Sequence, residues 1–167
     1  MILVLRLAHI LAGAFWFGSI MFTARILMPS VRAAGPAAGP VMAQLGRRIP
    51  MAMMVAAIVT IVAGIWLMMI DSAGAPMAWM QSGMGKTFGA GGALAILALV
   101  SGMIINVPAA KRLAAIDEAA AKRGGGPNAD EAAQLQKLQG RLGMGTAVVA
   151  VLLILATAAM AVARYVP

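Results

Sequence analysis

A helical membrane bundle is the fold class this chain predicts, and three observations predict it. Hydrophobic residues make up 62% of the 167 positions while charged residues reach only 11%, with a mean hydropathy of +0.93, a balance outside that of soluble domains. Four windows, about 7–28, 50–70, 86–108 and 142–164, are long and nearly free of charge, each close to the ~20 residues that carry a helix across about 30 Å of hydrocarbon. The windows are continuously apolar, whereas barrel strands alternate apolar and polar positions over about ten residues. The expectation is an all-α, integral-membrane four-helix bundle forming a single transmembrane domain over 1–167.

The first span reads RLAHILAGAFWFGSIMFTARILMP over 6–29. AGA at 12–14 imitates a signal-cleavage site, but the apolar run continues through FWFGSIMF and the stronger positive charge follows it, so a membrane helix is predicted here. At 100° per residue, His9, Gly13, Trp16, Ile20 and Thr23 share one face, and Ala14, Gly18 and Arg25 take the opposite one. The connector to the second span, PSVRAAGPAAGPVMAQLGRRIP, carries four prolines and three glycines. That composition predicts an irregular surface linker. The second connector, DSAGAPMAWMQSGMGK, is short and aromatic, as suits a turn in a headgroup layer with Trp79 at the interface.

Segment 109–141 differs from the other connectors. AAKRLAAIDEAAAKR is rich in strong helix formers, and Glu118 precedes Lys122 by four residues, the favourable order for a helical ion pair. GGGPN breaks this helix, and Asn128 with Glu131 three residues on forms a capping-box pattern that opens the next one. Leu135, Leu138 and Leu142 continue a helical stripe into the last span. A helical hairpin projecting between the third and fourth spans is therefore predicted. Its charges read chiefly as a solvated face.

Charge sets orientation and removes some function classes. Thirteen Lys and Arg oppose five Asp and Glu, but the basic residues border apolar runs, where membrane topology needs them, so nucleic acid is set aside. Segment 25–48 holds Arg25, Arg32, Arg47 and Arg48, and 111–141 holds Lys111, Arg112, Lys122, Arg123, Lys137 and Arg141. The other side receives Arg6, Lys86 and Arg164. The positive-inside rule then predicts outside termini and cytoplasmic basic segments, the hairpin included. No cysteine is present, which excludes disulfides, thiolate metal sites and CxxC chemistry. Between their flanking charges, over 7–24, 49–70, 87–110 and 142–163, the spans contain no acid and, apart from His9, no base, so proton-coupled transport lacks its usual intramembrane groups. A hydrolytic triad would need that one histidine and has no GxSxG motif.

Three features remain as candidate sites. GMGKT at 83–87 resembles part of a phosphate loop but lacks the earlier glycine, since that position is Met80, and no strand precedes it. Gly85, Gly89 and Gly92 read instead as a helix-packing stripe, and Ala14 with Gly18 as a second one. Fifteen methionines are present, and thioether suits Cu(I). Met77, Met80 and Met84 in the outer connector, with His9, are the candidate copper ligands, although methionine is also a flexible packer. Haem is the other candidate cofactor at His9, with a methionine, a ligand from another chain or an open axial position completing it. A chlorophyll-type pigment needs only one axial ligand.

LAHILAGAFWFGSIMF resembles the first helix of small bacterial four-helix membrane proteins of the copper-resistance D-like type and of related uncharacterised families. GRRIPMAMMVAAIVTIVAGIWLM and LLILATAAMAVARYV are similar to their second and last helices. The resemblance implies a bacterial inner membrane, a copper-uptake role and a functional His9. The more distant protoporphyrinogen oxidase type also uses a first-helix histidine, but it implies a second histidine in the third helix, and GGALAILALVSGMIINVP has none. The residues favour a non-catalytic accessory subunit that packs in lipid with other membrane subunits, of respiratory or photosynthetic type, without a cofactor of its own. A copper- or haem-handling protein is the alternative, and a haem-type membrane oxidoreductase the third reading.

Overall fold

A computed structural model describes the backbone of residues 1–167 and all side chains except those at 36–37, 39–43 and 47. The side chains of Pro36, Pro40 and Arg47, used in the sequence argument, thus lie outside the described residues. Four long helices dominate: α1 (Ile2–Ala34), α2 (Gly39–Asp71), α3 (Gly83–Lys122) and α4 (Ala129–Tyr165). All four are long and apolar enough to cross a membrane. A single helical turn, Pro76–Trp79, lies between α2 and α3.

The helices pack as two antiparallel pairs, α1 with α2 and α3 with α4, and α4 also contacts α1 while α3 contacts α2. Their shared core draws on every helix: Trp16 and Ile20 from α1, Ala57 from α2, Ala98 from α3, Val149 and Leu153 from α4. Large side chains on the remaining faces point outward, as with Leu11 at 65% exposure and Val151 at 55%. In water such faces would cost about 25 cal/mol per Å² of apolar surface. In hydrocarbon they cost nothing, which is the physical reason the fold calls for a membrane.

The first connector corrects the expectation of an irregular linker. Helix α1 runs straight through Pro29 to Ala34, a short 3₁₀ turn covers Gly35–Ala38, and α2 begins at Gly39. The break falls at Gly35, whose φ of +56° is a left-handed value that suits glycine. Proline fails to stop α1 because the turn before it, Thr23–Leu27, is π-helical, with the Met28 amide bonding back five residues to Thr23. A proline lacks the N–H for the carbonyl four residues earlier and crowds it. For Pro29 that carbonyl belongs to Arg25, inside the widened turn. The same device recurs in α3, where the π turn Gly102–Asn106 precedes Pro108 and the Val107 amide bonds to Gly102.

The hairpin between α3 and α4 forms as predicted. Glu118 and Lys122 pair at 2.8 Å, and α3 ends at Lys122, followed by Gly124 at φ +70°. Asn128 opens α4 with a complete capping box: its side chain accepts from the Glu131 amide at 2.9 Å and Glu131 accepts from the Asn128 amide at 2.9 Å. Arg123 reaches across the turn to both Glu131 oxygens, at 2.6 and 2.8 Å.

Candidate functional site

His9 lies against α2, not on an open surface. Its Nδ1 is 2.7 Å from the Thr60 carbonyl oxygen. A carbonyl only accepts, so Nδ1 carries the proton and donates it. The Thr60 hydroxyl is occupied elsewhere, donating to the Ala56 carbonyl at 2.7 Å. Gly64, one turn along, makes room for the imidazole: a Cβ there would stand 2.8 Å from the ring Cε1. Gly13 abuts the Thr60 methyl in the same way at 3.4 Å. The face of α1 that carries His9, Gly13, Trp16 and Ile20 is therefore the inward one, with Trp16 and Ile20 buried in the core.

The pair is closed at its end by Arg6, whose guanidinium meets Asp71 at 3.4 Å. Gly64 precedes Asp71 by seven residues, or about 10 Å of helix axis. His9 is thus roughly two turns inside the end of the bundle. Fixing the proton on Nδ1 leaves Nε2 as the ring's basic nitrogen, and Nε2 makes no hydrogen bond among the described residues. A backbone carbonyl holding one imidazole nitrogen so that the other can bind a metal is a recurrent arrangement around metal-ligating histidines.

The donors proposed beside His9 occupy other places. Met77 is 76% exposed on the Pro76–Trp79 turn. Met80 folds its methyl to within 3.0 Å of where a Gly89 Cβ would stand, and Met84 lies in the first turn of α3. The ring of His9 touches Thr60 and Gly64, neither of them a soft donor, so these contacts supply one nitrogen where Cu(I) takes several soft ligands. An axial bond to a haem or pigment needs only that nitrogen. Among the described residues no group of three or more His, Cys, Asp or Glu could hold a metal ion.

The glycine stripes divide differently from the sequence expectation. Gly85 is buried, but against the Trp79 carbonyl of the connecting turn, and Gly89 faces Met80 from that turn. Gly92 and Gly18 have nothing within 4 Å of an added Cβ, and Ala14 is exposed. Within the chain these three are unpacked, because the opposite face of α1 and another face of α3 turn inward. The glycine of α3 that lies close against α4 is Gly91, where an added Cβ would stand 3.2 Å from the Ala156 carbonyl and from Met160. GMGKT forms the first turn of α3, capped by Ser82, whose hydroxyl accepts from the Gly85 amide at 3.0 Å.

Sequence reasoning gave no role to two polar positions. Asn106, last residue of the α3 π turn, presses its Oδ1 against Gly145 of α4, and that oxygen is buried without a hydrogen-bond partner. Thr23, first residue of the α1 π turn, has its hydroxyl in the same state. The available signal was the following proline in TARILMP and GMIINVP, which marks where a helix must widen. Comparison with family models, with curated proteins and with solved structures found no match in any of the three.

Proposed function

We propose that this chain is a non-catalytic integral membrane protein, an accessory subunit whose outer helix edges pack against other membrane subunits. The observation that carries the reading is the bare small-residue edge of α1: Ala14 is exposed and Gly18 has open space around it, while the opposite edge fills the core. A helix that meets only lipid has no need of small residues there. A partner helix gains close backbone contact from them. His9 supports the same reading, since the one ionisable side chain deep in the spans bridges α1 to α2. With the positive-inside rule, the Arg6–Asp71 end faces outward and the α3–α4 hairpin reaches the cytoplasm.

Extraction in mild detergent tests it. The protein is expected to run larger than its 17.1 kDa together with other chains, and Gly18→Leu is expected to release it from them while leaving its helix content unchanged. A wild-type chain that runs alone would contradict the proposal. The second reading, a cofactor carrier, is favoured by the Nδ1 bond to Thr60, which leaves Nε2 as a Lewis base. Its mark would be a visible absorption band, or stoichiometric copper, lost on His9→Ala.

A further inference from the structure

We propose that the crevice between α1 and α2 at the end remote from Asp71 binds one anionic phospholipid, its phosphate at Arg48 and an acyl chain between the helices. The proposal rests on α1 and α2 spanning a membrane and goes beyond the subunit reading. The crevice is partly open, has a volume of about 170 Å³ and is lined by Phe15, Ser19, Phe22, Thr23, Arg48 and Met53, with Ile49 and Ala52 completing its wall. Its lining is graded. Arg48, Phe22 and Thr23 stand at one end, and Phe15 and Met53 at the other, seven residues or about 10 Å along α1. Arg48 precedes Asp71 by 23 residues, about 34 Å of helix, which is close to the thickness of the hydrocarbon core. The charged end therefore falls at a headgroup layer, and the apolar end points into the bilayer.

One observation calls for an anionic occupant. Arg48 is exposed and pairs with no carboxylate among the described residues; the chain's acids are Asp71 at the far end and four in the hairpin. Size then separates a lipid from a protein segment. A helix with its side chains is about 10 Å across, far too wide for this volume, whereas part of an alkyl chain fits. A basic residue beside a headgroup layer attracts anionic lipid headgroups.

Native mass spectrometry of the full chain in detergent, offered phosphatidylglycerol, phosphatidylcholine or inorganic phosphate, reads this directly. The wild type is expected to retain one phosphatidylglycerol in preference to phosphatidylcholine. Arg48→Gln should lower that preference about fivefold, the ratio carried by one basic residue near an anionic headgroup. Ala52→Phe, which fills the crevice, should lower retention of both lipids, and Arg25→Gln, outside the lining, should change neither. Equal retention of the two lipids by the wild type, indifference to both Arg48→Gln and Ala52→Phe, or equal binding of inorganic phosphate alone would overturn the proposal. Carbonate extraction of native membranes is a separate readout: release without detergent would overturn the membrane placement itself, whereas retention with no lipid preference would overturn only the crevice.

Discussion

At the scale of single residues, the α1–α2 contact turns on a histidine, a carbonyl and a glycine. Gly64→Ala would put a methyl group 2.8 Å from the His9 ring, and overpacking of this kind costs about 1–3 kcal/mol. The loss should appear as a lower midpoint in thermal unfolding followed by helix signal. His9→Ala added to Gly64→Ala should be destabilised by less than the sum of the two single changes, because the clash disappears with the ring. Strict additivity would show that Gly64 makes no room for the imidazole. The angular order of side chains on α1 was legible from sequence: His9, Gly13, Trp16 and Ile20 do share a face. Which face turns inward was not, because lipid and protein core are equally apolar and Leu11 outside resembles Ile20 inside. Thr60 and Gly64 carried a small-residue spacing that fits helix contact, but nothing in sequence assigns them to His9.

At the scale of elements, local chemistry decided the hairpin and misled at the first connector. Glu118, Lys122, Asn128 and Glu131 act through neighbours three or four residues away, so their roles could be read directly. The prolines of 29–50 act through the backbone geometry around them. A π turn before Pro29 makes room for its ring, and composition does not reveal that turn. Gly35, at φ +56° and ψ −139°, is the true break, and Gly35→Ala should destabilise the α1–α2 turn by roughly 1–3 kcal/mol, the cost of a side chain in a backbone region kept for glycine; an unchanged unfolding midpoint would remove Gly35 from that role.

The hairpin also has a pH signature. The Asn128 amide, and then Arg123, hold the Glu131 carboxyl below the ordinary value of 4.5. A lowered carboxylate stabilises the fold above its unfolded value and loses that contribution as pH falls through its folded value. Tightening of the turn by Glu131 is therefore complete at neutral pH and is lost progressively as pH falls below 4.5 and through the lower folded value. In NMR titration of the side-chain carboxyl, Glu131 should show a midpoint under 4.5 that rises in Arg123→Gln. Asp117 moves the other way, raised by burial, so it opposes rather than adds to acid sensitivity.

At the scale of the whole molecule, hydropathy made four spans legible because lipid demands length and apolarity, and the structure has four such helices. Orientation rests on charge counting and is open to direct test. The chain has no native cysteine, so Gln81→Cys, exposed between α2 and α3, and Ala119→Cys, exposed near the hairpin tip, each give a single label. An impermeant thiol reagent added to intact cells should reach the first and not the second; the reverse pattern would invert the topology.

The pairing of helices was less legible than their number. It is written in close approaches such as Gly91 to Ala156, and those depend on three-dimensional neighbours. The unfilled edge at Ala14 and Gly18 bears on the central claim of assembly. The most direct measurement is the size and composition of the detergent-extracted native particle for wild type and Gly18→Leu. Assembly predicts a wild-type particle larger than the 17.1 kDa chain that carries partner subunits, and a Gly18→Leu chain that folds but runs alone. A wild-type chain that runs alone, or a Gly18→Leu chain that keeps every partner, would contradict it.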